Sequence, residues 1–190
     1  MKLNVDHFKI TKIDDVIIQD ILSIIDEDDW NINNYRKTAS NMLNTDSIPI
    51  LHTPLCASGI NSLEAIRSIR KEVLYDKYFP KIKPVLNILR EYYTFKQYAI
   101  FISRLHPHKR IGIHQDTGKF LELCHRIHLP LQTNDKIFYV IENNKYNWER
   151  ANLYEFDNLL NHGVENNSDE HRIHLIINLY NIPEEDLTKA

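Results

Sequence analysis

The chain has 190 residues, long enough for a single domain with a sizeable apolar core. Its 43% hydrophobic and 26% charged residues are the composition of an ordinary soluble globular protein. The net charge of -3 speaks against a general nucleic-acid binder, which would carry a basic face.

Two cysteines, Cys56 and Cys124, are too few for a disulfide framework and read as buried free thiols in a reducing compartment. Residues 1–6 show no apolar signal region, and no apolar run reaches the length of a membrane span. A cytoplasmic protein is expected, with no membrane partner and no nucleic-acid partner. The sequence leaves the oligomeric state open.

In chain order, residues 1–12 read as a short strand or ordered arm. Over 14–29 the apolar positions Val16, Ile17, Ile21, Leu22 and Ile25 follow a helical period. Residues 30–54 read as irregular chain with one strand around Ile48-Pro49-Ile50-Leu51. Asn61 and Glu64 have the spacing of a capping box and predict a helix to about Tyr75. Pro80 and Pro84 frame the start of another helix, carrying Ile82, Val85, Leu86, Leu89 and Tyr93.

After Thr94 the pattern becomes extended. Residues 97–105 read as a strand buried on both sides. Further short strands follow over 125–131, 136–142, 153–156, 162–165 and 172–180, separated by turn residues such as Thr133-Asn134-Asp135. That spacing predicts a sandwich or jelly roll with helices packed outside. The whole of 1–190 reads as one domain, with 1–95 mainly helical support and 96–182 the β core.

Eight of the ten histidines fall between His106 and His174, which draws attention to the C-terminal part. Within Ile111-Gly112-Ile113-His114-Gln115-Asp116, an extended chain would point His114 and Asp116 to one face. With a distant second histidine these residue types form the 2-His-1-carboxylate triad of non-haem iron(II) oxygenases, although H-x-D alone is uninformative. His125-Arg126-Ile127-His128-Leu129 recurs as His171-Arg172-Ile173-His174-Leu175. In each copy Arg and His share one face, and Ile and Leu share the other. Either the arginines turn outward, or they point into the barrel and must meet anions there.

The run Ser103-x-x-His106-Pro107, His114-x-Asp116, Arg126-x-His128-Leu129 and His162-x-Val164-x-Asn166-x-Ser168-x-x-x-Arg172-x-His174-Leu175 resembles the aspartyl/asparaginyl β-hydroxylase family. The resemblance covers about 97–182, and more faintly 30–52. It implies a double-stranded β-helix (jelly roll, cupin-like) and an Fe(II)/2-oxoglutarate-dependent dioxygenase, with O2 as oxidant. Such an enzyme hydroxylates an aliphatic C–H of an amino acid, free or in a peptide or protein, and releases succinate and CO2. By resemblance His114, Asp116 and His162 hold iron, and Arg172 grips the distal carboxylate of 2-oxoglutarate. Ser103, Arg126 and His128 complete the cosubstrate pocket. Arg36, His52 and Trp148 are candidates to border the substrate cavity.

Some family members lack the carboxylate ligand; this chain keeps Asp116. It departs in having Asn178 where an acidic residue is usual, and in a longer loop between His114 and Arg126. The competing readings are a cupin-type metalloenzyme that does not use 2-oxoglutarate and a catalytically silent jelly-roll binding module.

Overall fold

The computed structural model describes residues 3, 5–32, 43–53 and 63–188. Its first strands are His7–Lys12 (β1), Thr45–His52 (β2), Arg70–Lys71 (β3), Gln97–Leu105 (β4) and Arg110–His114 (β5). The later ones are His125–Gln132 (β6), Ile137–Ile141 (β7), Asn144–Tyr146 (β8), Asn152–Phe156 (β9), His162–Asn166 (β10) and Arg172–Tyr180 (β11). Helices occupy Asp15–Leu22 (α1), Leu63–Arg67 (α2), Tyr75–Leu89 (α3), Lys119–Glu122 (α4) and Glu184–Thr188 (α5), and Glu27–Asn31 forms a 3-10 turn. Among the described residues no helix is long and apolar enough to cross a membrane.

Two antiparallel sheets face one another. The larger has seven strands in the order β1-β9-β6-β11-β4-β2-β3; the smaller has four, β5-β10-β7-β8. The protein is therefore mostly β, with the jelly-roll architecture that the strand spacing implied. The first 95 residues supply more than helices, because β1, β2 and β3 all join the larger sheet.

Register makes the outer face of that sheet continuous. Ile100, Ile177 and Ile127 lie side by side across β4, β11 and β6, as do Ile102, Leu175 and Leu129. This apolar surface packs against Ile18 and Ile21 of α1 and Tyr78, Ile82, Val85, Leu86 and Leu89 of α3. Each fully buried Ile or Leu contributes roughly 1.5–3 kcal/mol, so the helices determine which face of each strand turns outward. Alternate residues then face the smaller sheet. There a second apolar cluster, including Leu105, Tyr139, Trp148, Phe156 and Val164, seals the two sheets together.

Three helical expectations differ from the structure. α1 stops at Leu22, and in the segment that follows Asp29 turns inward: its carboxylate accepts from the Asp26 N–H at 3.0 Å, from Lys77 at 2.7 Å and from Tyr78. α2 ends at Arg67, and the chain then pairs with the β2 edge, His52 opposite Arg70 and Leu51 opposite Lys71. Pro80 and Pro84 lie inside α3, not at its start. A proline inside a helix removes a backbone donor, but both sit on the exposed side, where water reaches the bypassed carbonyls. The buried stripe from Tyr78 to Leu89 keeps the helix in place.

Asn61, Cys56 and Arg36 lie outside the described residues. Cys124 is a buried free thiol, which burial pushes up to about 12.

Leu175→Ala, in the middle of the outer face at 0% exposure, is expected to lower unfolding free energy by about 2–5 kcal/mol. Val16→Ala, 67% exposed, should change it by less than about 0.5 kcal/mol. Urea denaturation of both variants is the check, and equal effects would contradict this assignment of the core.

Candidate metal centre

His114 ends β5 and His162 begins β10, and the two residues are direct partners across that strand pair. Ile111 pairs with Val164, so two residues of β5, Gly112 and Ile113, stand opposite Gly163 alone. This is a β-bulge. It lets Ile111 and His114, three apart, both line the same cavity.

Gly163 is required at this position. A Cβ there would lie 2.8 Å from the Ile111 carbonyl oxygen and 2.9 Å from Ile113 Cδ1. At Gly112 a Cβ would meet nothing within 4 Å.

Asp116 lies beyond the end of β5, so strand alternation does not place it. Its N–H donates to the Asn158 carbonyl at 3.0 Å, and Asn158 Nδ2 donates to Asp116 Oδ2 at 3.3 Å. The same Nδ2 reaches the Leu121 carbonyl at 3.1 Å, tying α4 to the carboxylate. Arg126 Nε stands 3.1 Å from Oδ2, while Arg126 Nη1 donates to Asn178 Oδ1 at 3.0 Å. Asn178 is thus the register partner and acceptor of Arg126.

With Oδ2 occupied, Oδ1 faces the imidazoles, 3.7 Å from His114 Nε2 and 4.0 Å from His162 Nε2. One ligand atom from each of the three residues lies within 4.8 Å of the others. Two donors at ~2.1 Å from one ion can be at most ~4.2 Å apart, so both carboxylate–imidazole separations are within reach of a single cation. Each imidazole is already set for this. His114 Nδ1–H donates to the Gly112 carbonyl at 2.8 Å and His162 Nδ1–H to the Leu160 carbonyl at 2.9 Å, which leaves both Nε2 lone pairs free.

Electrostatics agree. Burial alone would raise the Asp116 carboxyl, but Arg126, then His162 and His114, hold it below the usual carboxylate range. Burial pushes His162 down to about 4, keeping its imidazole neutral and able to coordinate. Oxygen and nitrogen donors in this ratio suit a divalent ion such as Fe(II).

A cavity opens beside these donors, lined by His114 and His162 together with Ser103, Arg126, His128, Tyr139, Phe156 and Arg172. Both arginines therefore point inward, and the alternative in which they face solvent is overturned by the helix layer outside. Arg172 is 1% exposed, its guanidinium 5.0 Å over the Tyr139 ring. Ser103 Oγ and His128 Nε2 are buried with no protein hydrogen-bond partner, as expected of groups awaiting a ligand.

The substrate candidates do not join them. Trp148 lies behind the cavity, stacked on Tyr139 at 3.7 Å and on Tyr154 at 4.9 Å. His52 packs edge-on against Phe101 and is not among the lining residues. Sequence reasoning missed Tyr139 and Asn158. Tyr139 carried a signal in the alternation of β7, where it holds an inward position; the contact between Asn158 and Asp116 had none.

Two measurements check this geometry. Gly163→Ala should weaken divalent-metal binding at least about tenfold by forcing β10 from β5, whereas Gly112→Ala should leave it within about twofold; titration calorimetry with Mn(II) would show equal effects if the bulge is unimportant. The second concerns pH in the metal-free protein. His128 and His174 are held well below their usual range, first by burial and then by nearby arginines. The unfolded chain binds their protons at about 6.5, so stability is complete above that pH and lost below it. The expected slope is about 1.4 kcal/mol per pH unit per histidine, and a flat unfolding free energy from pH 7 to about 5.5 would contradict it.

The family model described as aspartyl/asparaginyl beta-hydroxylase matches residues 61–181, more than half of the chain. Among solved structures, the chain is similar to a 2OG-Fe(II) oxygenase family oxidoreductase from Burkholderia pseudomallei. That match has 11% identity, 92% of this chain and 84% of that one covered, and a TM-score of 0.53. It is also similar to the viral collagen prolyl hydroxylase of Paramecium Bursaria Chlorella virus-1 in its 2OG complex, at 13% identity, with 95% and 98% covered and a TM-score of 0.50. At such identities these likenesses speak for the fold. No curated protein matches the sequence. On the extent of the family match, the chain belongs to the aspartyl/asparaginyl β-hydroxylase family.

Proposed function

We propose that this protein is an Fe(II)- and 2-oxoglutarate-dependent dioxygenase that hydroxylates an aliphatic C–H of an amino acid, free or in a peptide or protein. The observation that carries the reading is one cavity with a His-Asp-His donor set on one wall and an inward guanidinium on another. When bound, iron, O2 and 2-oxoglutarate supply oxidative decarboxylation of the cosubstrate to succinate and CO2, coupled to hydroxylation of the substrate.

The chain's own residues position and shield. His114, Asp116 and His162 would hold the metal by one atom each, which leaves room for a chelating 2-oxoacid. Arg126 and Asn158 occupy Asp116 Oδ2 and so reserve Oδ1 for the ion. Arg172 offers a planar fork to a carboxylate, which a lysine would not. Ser103 Oγ and the His128 ring add polar contacts along the same wall.

Charge favours a dianion. Asp116 is neutralised by Arg126, and a bound metal and the Arg172 guanidinium would both present positive charge to the cavity. A metalloenzyme that takes no 2-oxoacid would have no use for Arg172 in the interior. Phe156, Ile111, Val164 and Ile176 line the remainder and limit the entry of water.

The Mn(II)-loaded protein is expected to bind 2-oxoglutarate. Arg172→Ala should weaken that binding at least about 30-fold, as befits loss of a charged hydrogen-bonded pair, while keeping Mn(II) affinity. His114→Ala should lose the metal and, with iron(II) and ascorbate, all succinate release. Wild-type protein that fails to bind 2-oxoglutarate, or Arg172→Ala that binds it equally well, would sink the reading.

A further inference from the structure

Tyr139 lines the cavity from β7 and is buried. Its hydroxyl lies 2.7 Å from His128 Nδ1 and 3.4 Å from His174 Nδ1. Its ring cannot turn away: Trp148 stacks on it at 3.7 Å with 19° between the planes, Trp148 in turn stacks on Tyr154, and the Arg172 guanidinium lies 5.0 Å over the ring.

We propose that Tyr139 is a positioning residue that holds His128 in its Nε2–H tautomer, so that the cavity is met there by an N–H donor and not by a lone pair. A phenol has one proton to donate. An imidazole nitrogen is a better acceptor than a phenol oxygen, whose lone pair is drawn into the ring. The proton therefore goes to the nearer nitrogen, and 2.7 Å is the ordinary length for such a bond. Accepting at Nδ1 obliges the neutral His128 ring to carry its own proton on Nε2.

That Nε2 is fully buried, has no protein partner, and belongs to a residue lining the cavity between Arg126 and Arg172. The 3.4 Å contact takes the opposite sense, with His174 Nδ1–H donating to the phenol oxygen. The two rings thus hold complementary tautomers through one hydroxyl. Burial and the neighbouring guanidiniums keep both rings neutral, so the tautomer alone decides whether His128 attracts or repels an anionic ligand. Trp148, which does not reach the cavity, acts as the backing that fixes the phenol.

The proposal rests on the reading that this cavity takes a carboxylate cosubstrate, and its test separates the two. In zinc-loaded, 15N-histidine-labelled protein, the ring-nitrogen spectrum should show His128 protonated at Nε2 and bare at Nδ1. Tyr139→Phe should abolish that preference and weaken 2-oxoglutarate binding to the Mn(II) form about tenfold, with Mn(II) affinity unchanged. A wild-type His128 protonated at Nδ1 would overturn the proposal, as would a Tyr139→Phe protein with unaltered tautomer and affinity. The wild-type spectrum needs no variant to fold, and it decides the tautomer even if 2-oxoglutarate does not bind; in that case the functional reading falls and the assignment of Tyr139 stands.

Discussion

The outer face of the seven-stranded sheet is committed to the helices, and that commitment determines the character of the interior. Ile127, Leu129, Ile173, Leu175 and Ile177 are fixed against α1 and α3. A one-residue slip in β6 or β11 would turn that strand's apolar residues into the barrel and drive its charged side chains into the helix layer. Arg126, His128, Arg172 and His174 are therefore held inside by the burial of their neighbours. A protein interior tolerates such groups when each is neutral, paired or liganded. Here the two histidines are neutral and Arg126 is paired with Asp116, while Arg172 lines the cavity.

Within the cavity the work divides between groups that would touch a ligand and groups that orient those groups. His114 and His162 are each oriented by a backbone carbonyl two residues earlier, at Gly112 and Leu160. Asp116 has no such local support. It depends on Arg126 from β6 and on Asn158, which follows β9, elements distant in sequence but adjacent in the barrel. Its position is thus a property of the whole fold, whereas the histidines are placed by their own strands.

Much of this was legible in the residues. The limits of β4 and β11 follow from long β-prone runs, and the repeated Arg-x-His pattern correctly places the two side chains on one face. His114, Asp116 and His162 were singled out together by the family resemblance, because H-x-D alone is uninformative and ten histidines leave the partner open. Three features were not legible for identifiable reasons. Prolines normally mark a helix start, but in α3 tertiary packing of Tyr78, Ile82 and Val85 outweighs their local cost. Asn158 and Asp116 meet only through the return of the chain after β9, which no local pattern encodes. Trp148, a candidate for the substrate cavity, is a core aromatic; what distinguishes Tyr139 from it is the position of one oxygen between two rings.

The order of the smaller sheet places the two histidines on unequal footing. Among the described residues β5 lies at the rim with a strand partner on one side, whereas β10 is flanked by β5 and β7. Fraying begins where backbone bonding is one-sided. The site thus has an anchored half carrying His162 and a hinged half carrying His114, and partial opening of the barrel would release the second while the first stays in place.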